Sequence, residues 1–327
     1  MMARGHIDLP IAAPPLLLSK KAIYAALAFV DADAAARARV LAMETGFRGR
    51  IATHLLGLPT ADAKFQKFNT SPFVLMFYSK KRGYTRVTEI EDDIIPAKVF
   101  SSMETSAGRM VEEVVLPVYG WEVVPSQMHS VESLLDGRKT EATDFLGVTL
   151  KSGPRCLNDE MAQNIGRDVA TNVAAWAANH GAQKVDFTYG VLYGTKRLSN
   201  KKDWHILRSI AEFLPAGTAV SQSHRGNWCI GYVREGLEVT ATVRIGIDWW
   251  NYLGGDTAWL ELCIALIRSC VAAAGPRTVA PQYAISDLAD ILDTSGLPPQ
   301  FNVAILQESQ IEWLLFLARH FCDGFRP

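Results

Sequence analysis

The stretch "DFLGVTLKSGPR", residues 144–155, constrains the fold more than any other part of the chain. Phe145, Gly147, Thr149 and Lys151 alternate with Leu146, Val148 and Leu150 at the two-residue period of a strand. The run up to Leu150 is apolar enough to be buried, and a lone lysine at its end is costly to bury unless something pairs with it. The segment upstream folds back on this strand. With Asp136 opposite Thr149, residues 137–140 pair with 145–148, and Glu141-Ala142-Thr143-Asp144 form a four-residue turn, a common hairpin length. That register sets Asp136 beside Thr149 and Lys151 on one face of the sheet.

Other elements arrange themselves around this hairpin. Residues 20–57 are Ala-rich and read as one or two helices ending near Gly57-Leu58-Pro59. "SSMETSAGRMVEEVV" opens on Ser101 with Glu104 three positions later, a capping-box pattern, and Pro117 predicts its end. After Pro154, Asn158 is a good N-cap, with Asp159 and Glu160 in a first turn whose dipole favours acids; the helix runs to His180-Gly181. "KVDFTYGVLYG" reads as a strand, "WCIGYV" and "LEVTATVRIGI" as a hairpin around Arg234-Glu235-Gly236, and 257–274 as a helix.

The order helix, hairpin, helix, strand, hairpin, helix predicts an α/β (α+β) fold with a mixed β-sheet flanked by helices. No composition break divides the 327 residues. One domain is expected over 1–327, with an N-terminal helical segment near 20–65, a core near 95–250 and a C-terminal helical segment near 255–327.

Composition narrows the function classes. A net charge of -1 leaves no bulk positive field for a polyanion, so any nucleic-acid surface has to be a local patch. The five cysteines are scattered, with no CxxC or Cys/His spacing for zinc, which fits a reducing cytoplasm. "LPIAAPPLLL" is interrupted by three prolines, and "WLELCIALIRSCVAAAG" carries Glu261 and Arg268. Neither reads as an export signal or a membrane span.

Asp136 before one strand, Lys151 ending the next and a carboxylate on a preceding helix are the parts of a metal-dependent phosphodiester hydrolysis site. Carboxylates supply hard oxygen ligands to Mg²⁺, and a lysine orients water or steadies charge on the phosphate. Here the chain resembles the PD-(D/E)XK type II restriction endonucleases. The resemblance lies in "SLLDGRKTEATDFLGVTLKSGPRCLND", with its KSGP run, and in "FNTSPFVLMF" and "SAGRMVEEVV", and covers about residues 65–260. It implies a homodimer that cuts double-stranded DNA at a short sequence with Mg²⁺ as cofactor. Asp136 then matches the motif aspartate, Lys151 the motif lysine, and Glu112 the acidic residue of the first core helix. Thr149 stands where the motif has Glu or Asp, so Glu160, with Asp168 second, is expected to supply the missing carboxylate and to share the metal with Asp136.

Plainer readings exist for each residue. Asp136-Gly137 is also a turn signal, and Asp144 is a rival motif aspartate that the hairpin places in the turn. Glu112 also suits an ordinary helix surface, and Glu160 an ordinary first turn. Two basic stretches are candidate DNA contacts: Lys80, Lys81 and Arg82, and Lys196, Arg197, Lys201 and Lys202. Arg225 and Asn227 in "SQSHRGNW" have side chains suited to purine edges. A repair or junction-cleaving nuclease of the same fold, and a DNA-binding protein on a decayed nuclease scaffold, are the alternatives.

Overall fold

Apolar alternation and turn chemistry fix the middle of the molecule, as a computed structural model shows. It describes residues 7–8, 13–58, 64, 71–125, 130–222, 228–275, 282–285, 287–293, 296 and 302–326. In chain order the elements are β1 (Leu17–Ser19), α1 (Lys20–Ala32), α2 (Ala34–Leu56), α3 (Pro72–Arg82), α4 (Glu91–Val118), β2 (Glu122–Val123), β3 (Gly137–Glu141) and β4 (Asp144–Lys151). There follow α5 (Asp159–His180), β5 (Lys184–Val191), α6 (Lys202–Phe213), β6 (Val220–Gln222), β7 (Trp228–Arg234) and β8 (Leu237–Ile245). The last are α7 (Ile247–Gly254), α8 (Ala258–Cys270), α9 (Leu288–Leu292), α10 (Glu308–Ala318) and β9 (Gly324–Arg326).

Seven strands form one mixed sheet in the order β2-β3-β4-β5-β8-β7-β6. β4, β5 and β8 run parallel, and the outer pairs are antiparallel. β4 therefore lies inside the sheet with both faces covered, as its unbroken apolar run requires. On one face, Phe145, Phe187, Tyr189 and Val243 pack under Trp176 of α5 and Trp204 of α6. On the other, Val148 and Leu150 meet Leu116 of α4, Trp249 of α7 and a layer built from α1, α2, α8 and α10. Glu261, fully buried in α8, takes a two-point contact from Arg39 of α2, at 2.7 Å on each oxygen, and the Tyr119 hydroxyl at 2.9 Å. This ties α2 to α8 and to the end of α4. No helix among the described residues is long and apolar enough to cross a membrane.

The hairpin has the expected register, with Gly137 opposite Val148 and Thr140 opposite Phe145. Its turn is shorter than expected. Glu141 pairs with Asp144, leaving Ala142-Thr143 as a two-residue loop, with Ala142 at a left-handed φ of 52°. The Asn158 side chain caps α5 by accepting from the Met161 amide at 2.8 Å, and Gly181 ends that helix in the left-handed region.

α4 departs from its expected bounds. It starts at Glu91, not at Ser101, and passes Pro117 by one residue. The start lies upstream because Glu89, in a short 3-10 turn at Val87–Ile90, accepts the amides of Thr85 and Arg86, both at 2.7 Å, and ends the loop there. Lys80–Arg82 belong to the last turn of α3, and Lys202 to the first turn of α6.

Gly166 lies where α5 crosses α6. A methyl group there would meet the Ile210 amide nitrogen at 2.8 Å and the Ile206 carbonyl oxygen at 3.0 Å, both rigid backbone. Gly166→Ala is expected to lower stability by about 1–3 kcal/mol through overpacking, although alanine is the better helix former by about 1 kcal/mol. Urea denaturation measures this directly, and unchanged or raised stability would contradict the close crossing.

Candidate active site

β3 begins one residue after Asp136, and that residue belongs to both neighbouring strands. Its backbone N–H donates to the Val148 carbonyl at 2.8 Å, and its carbonyl accepts from the Val124 amide at 3.0 Å. Its carboxylate Oδ2 then accepts the Leu150 amide hydrogen at 2.6 Å. The carboxylate thus replaces the backbone partner that the chain no longer supplies to β4. Thr149 secures the same segment, its buried hydroxyl donating to the Leu134 carbonyl at 2.8 Å.

Asp136, Leu150 and Lys151 form one wall of a cleft of about 640 Å³, and Glu112, Glu113 and Arg109 of α4 form another. Ser152 and, from α2, Arg50 complete the lining. Gly108 of α4 lies against this edge, where an added Cβ would make the Ser152 hydroxyl turn away.

The two glutamates differ in environment. Glu113 is matched by Arg50 at 3.0 Å and by Arg109 at 2.8 Å. Glu112 is pushed up to about 8, first by burial and then by the nearby Asp136 charge, with Lys151 opposing. Burial also raises Asp136, against the Leu150 amide and the Lys151 ammonium. Two neighbouring carboxylates that resist ionisation are stabilised by an added cation, and Lys151 supplies only one positive charge.

Of the residues singled out from the sequence, Asp136, Lys151 and Glu112 come together here. Glu160 does not line the cleft: it is exposed on the first turn of α5. Glu112 is the second carboxylate beside Asp136, because α4 and not α5 packs over the end of β4. Asp168 lies half-buried on α5 and contacts Arg167. Asp144 is at the far end of β4 from Lys151, about 23 Å away at strand rise, and does not line the cleft. Among the described residues, no three His, Cys, Asp or Glu side chains gather as a metal cage. The cleft also holds Arg50 and Arg109, which are not among the residues picked out from the sequence, and Glu113, which reads there as helix surface. The i, i+4 spacing of Arg109 and Glu113 was a readable sign, whereas Arg50 reaches the cleft only through the packing of α2 on α4.

The basic stretches divide. Lys80 and Lys81 are exposed, and Arg82 pairs with Asp93 at 3.4 Å. Lys196 is largely buried against Asp248 at 3.3 Å, and Lys202 pairs with Asp159, so both have carboxylate partners. Arg197 and Lys201 are exposed on a loop joined to the segment after Lys151, where Arg155 Nε donates to the Leu198 carbonyl at 3.0 Å. Arg225 and Asn227 lie outside the described residues. Compared with known proteins, the chain matches no family model and no curated protein.

Glu112 gives a pH signature. Its pKa rises on folding from 4.5 to about 8, so its protonated form favours the fold. The stabilisation is complete below pH 4.5 and is lost as pH rises towards 8. In metal-free buffer, Glu112→Gln is expected to gain stability relative to the wild-type chain between pH 5 and pH 8, read from urea midpoints. Parallel pH profiles would contradict the assignment.

Proposed function

We propose that the chain is a Mg²⁺-dependent endodeoxyribonuclease of the type II restriction class, hydrolysing phosphodiesters of duplex DNA. The observation that carries this reading is the pair Asp136 and Glu112, both held towards the neutral form, beside the Lys151 ammonium in one open cleft. The donor set fits Mg²⁺, which is commonly held by one or two carboxylates together with substrate phosphate and water. Asp136 and Glu112 would hold the ion. A third oxygen follows from strand geometry: the Lys151 carbonyl accepts from Leu192 on the β5 side, so the preceding carbonyl, that of Leu150, points to the Asp136 side. When bound, the ion would neutralise charge on the phosphate and lower the pKa of water.

The chain's own groups do the rest. Lys151 lies two positions beyond Thr149 on the same strand face and presents an ammonium to the cleft. There it donates hydrogen bonds to the phosphate or to the attacking water and opposes the charge that builds in the transition state. Arg50 and Arg109, held by Glu113, add positive charge at the rim of the same cleft, where a DNA backbone would pass. Arg197 and Lys201 extend it along the neighbouring loop. Thr149 acts structurally, since its hydroxyl is committed to Leu134.

Digestion of mixed-sequence duplex DNA with Mg²⁺, followed by mapping of the ends, tests the reading. Cleavage at one short sequence is expected. Lys151→Ala is expected to lower the rate at least 100-fold, in the range of a lost charge-stabilising group, with DNA binding retained. Cleavage undiminished in that variant would remove Lys151 from the chemistry, and DNA binding without cleavage by the wild-type chain would favour a decayed scaffold. Arg197→Ala combined with Lys201→Ala is expected to weaken binding to all sequences and to reduce the log–log salt slope by about two units. An unchanged slope would place this loop off the backbone.

A further inference from the structure

We propose that Tyr193, His320, Phe316 and Trp313 form a stacking track for the unpaired bases of single-stranded DNA, running out from the mouth of the cleft. The proposal rests on the nucleic-acid reading of that cleft and adds a form of substrate to it, a duplex that carries a single-stranded extension.

The sequence of α10 divides between two faces. The buried face is largely aliphatic, with Ile311, Leu314, Leu315 and Ala318. The open face carries Trp313 and Phe316, three residues apart and so neighbours on the helix surface, at 47% and 37% exposure. His320 is exposed just past the end of the helix, and Tyr193, beyond β5, is 43% exposed. The open surface is therefore made of rings, whereas the core beneath it is made of branched chains. Rings of this kind offer stacking faces, and stacking tolerates any sequence because every base has a π-face.

The four rings stand in one row. The centroids of Tyr193 and His320 are 6.3 Å apart, those of His320 and Phe316 5.0 Å, and those of Phe316 and Trp313 6.1 Å. Each contact is edge-to-face, with interplanar angles of 88°, 68° and 79°, the arrangement in which one ring's positive edge meets its neighbour's negative face. Hydrogen bonds fix the row in place. His320 Nδ1 donates to the Phe316 carbonyl at 2.9 Å, and the Gly194 amide donates to the His320 carbonyl at 2.8 Å. The Thr195 hydroxyl donates to Asp323 at 2.8 Å. The rings are thus ordered before any ligand arrives, which lowers the entropy lost on binding.

One end of the row meets the cleft. The Tyr193 hydroxyl lies over Gly153, where an added Cβ would stand 2.7 Å from it, and the preceding residue, Ser152, lines the cleft. Charge favours a polyanion at this end. Residues 151–158 and 192–202, which flank Tyr193, hold Lys151, Arg155, Lys196, Arg197, Lys201 and Lys202 and no acidic residue. Of these, Arg155, Arg197 and Lys201 are exposed. The acids of α10, Glu308 and Glu312, lie towards its start, at the other end of the row. Phosphates therefore belong over the basic segments beside Tyr193, with the bases laid along the rings.

The test is fluorescence anisotropy of the full chain with a labelled oligodeoxythymidylate of about 12 nucleotides, within the usual range of single-strand site sizes, in metal-free buffer. The wild-type chain is expected to bind it. Trp313→Ala and Phe316→Ala are each expected to weaken that binding by about 5–150-fold, the worth of one stacked base, and Trp313→Phe to keep most of it. Affinity for a blunt duplex of the same length is expected to stay at the wild-type value in all three, which separates a lost stacking face from a loosened helix. The proposal is overturned if the wild-type chain does not bind the oligonucleotide, or if both alanine variants bind it as the wild type does. It is also overturned if single strand and duplex lose affinity together, or if the substitutions change the mass of the chain in sedimentation instead of its affinity, which would make the row a protein contact. Binding without Mg²⁺ is read apart from cleavage, so a chain that binds through these rings and never cuts DNA would overturn the hydrolytic reading alone.

Discussion

The hydrogen bond from the Leu150 amide to the Asp136 carboxylate, 2.6 Å long, fastens the end of β4 where its antiparallel neighbour gives out. Without it a strand amide in a partly buried wall would have no partner, at a cost of about 1–3 kcal/mol. The bond sets the level at which the aspartate stands against the strand and brings its charge within range of Lys151, the next residue. Thr149, tied to Leu134, prevents the segment from sliding. Asp136 is therefore structural as well as a chemical candidate, and substitutions at Lys151 and Glu112 separate the two roles more cleanly.

Around that bond the charges are sorted by partner. Glu113 is neutralised by two arginines, one from α2 and one from its own helix. Glu112, one residue earlier, faces Asp136 and Lys151 instead, and burial raises it to about 8. A single lysine against two half-buried carboxylates leaves a deficit of positive charge whenever both acids ionise. A divalent cation meets that deficit, and so does a neighbouring phosphate that brings one. The arginines on Glu113 remain half-exposed or more, with donors free to turn towards an anion.

The sheet and its hairpin were legible because their signals are local. The apolar run of β4, the alternation of β8, the Asn158 cap and the Gly181 stop each need only a few neighbouring residues, and the structure has all four elements where these signals put them. What escaped was non-local or imitated a local signal. Ser101 and Glu104 imitate a helix start, but the loop before Glu91 ends on Glu89. Glu160 has the right chemistry on a helix that points elsewhere, whereas Glu112, which the resemblance picks out, reaches the cleft because α4 lies over the end of β4. Lys196 and Lys202 read as free cations, although Asp248 and Asp159, distant in the chain, pair with them. The parallel pairing of β1 with β9 joins segments from opposite ends of the described chain, and no pattern within either one announces it.

In the proposed activity Asp136 and Glu112 share one divalent cation. A carboxyl whose pKa is about 8 must lose its proton to bind a metal, so binding and proton release are coupled. Calorimetric titration of the full chain with Mg²⁺ at pH 7, repeated in buffers of different ionisation enthalpy, counts that proton. The account predicts release of about one proton per Mg²⁺ bound, abolished in Glu112→Gln. Mg²⁺ binding with no buffer dependence, or binding equally strong in that variant, would contradict it.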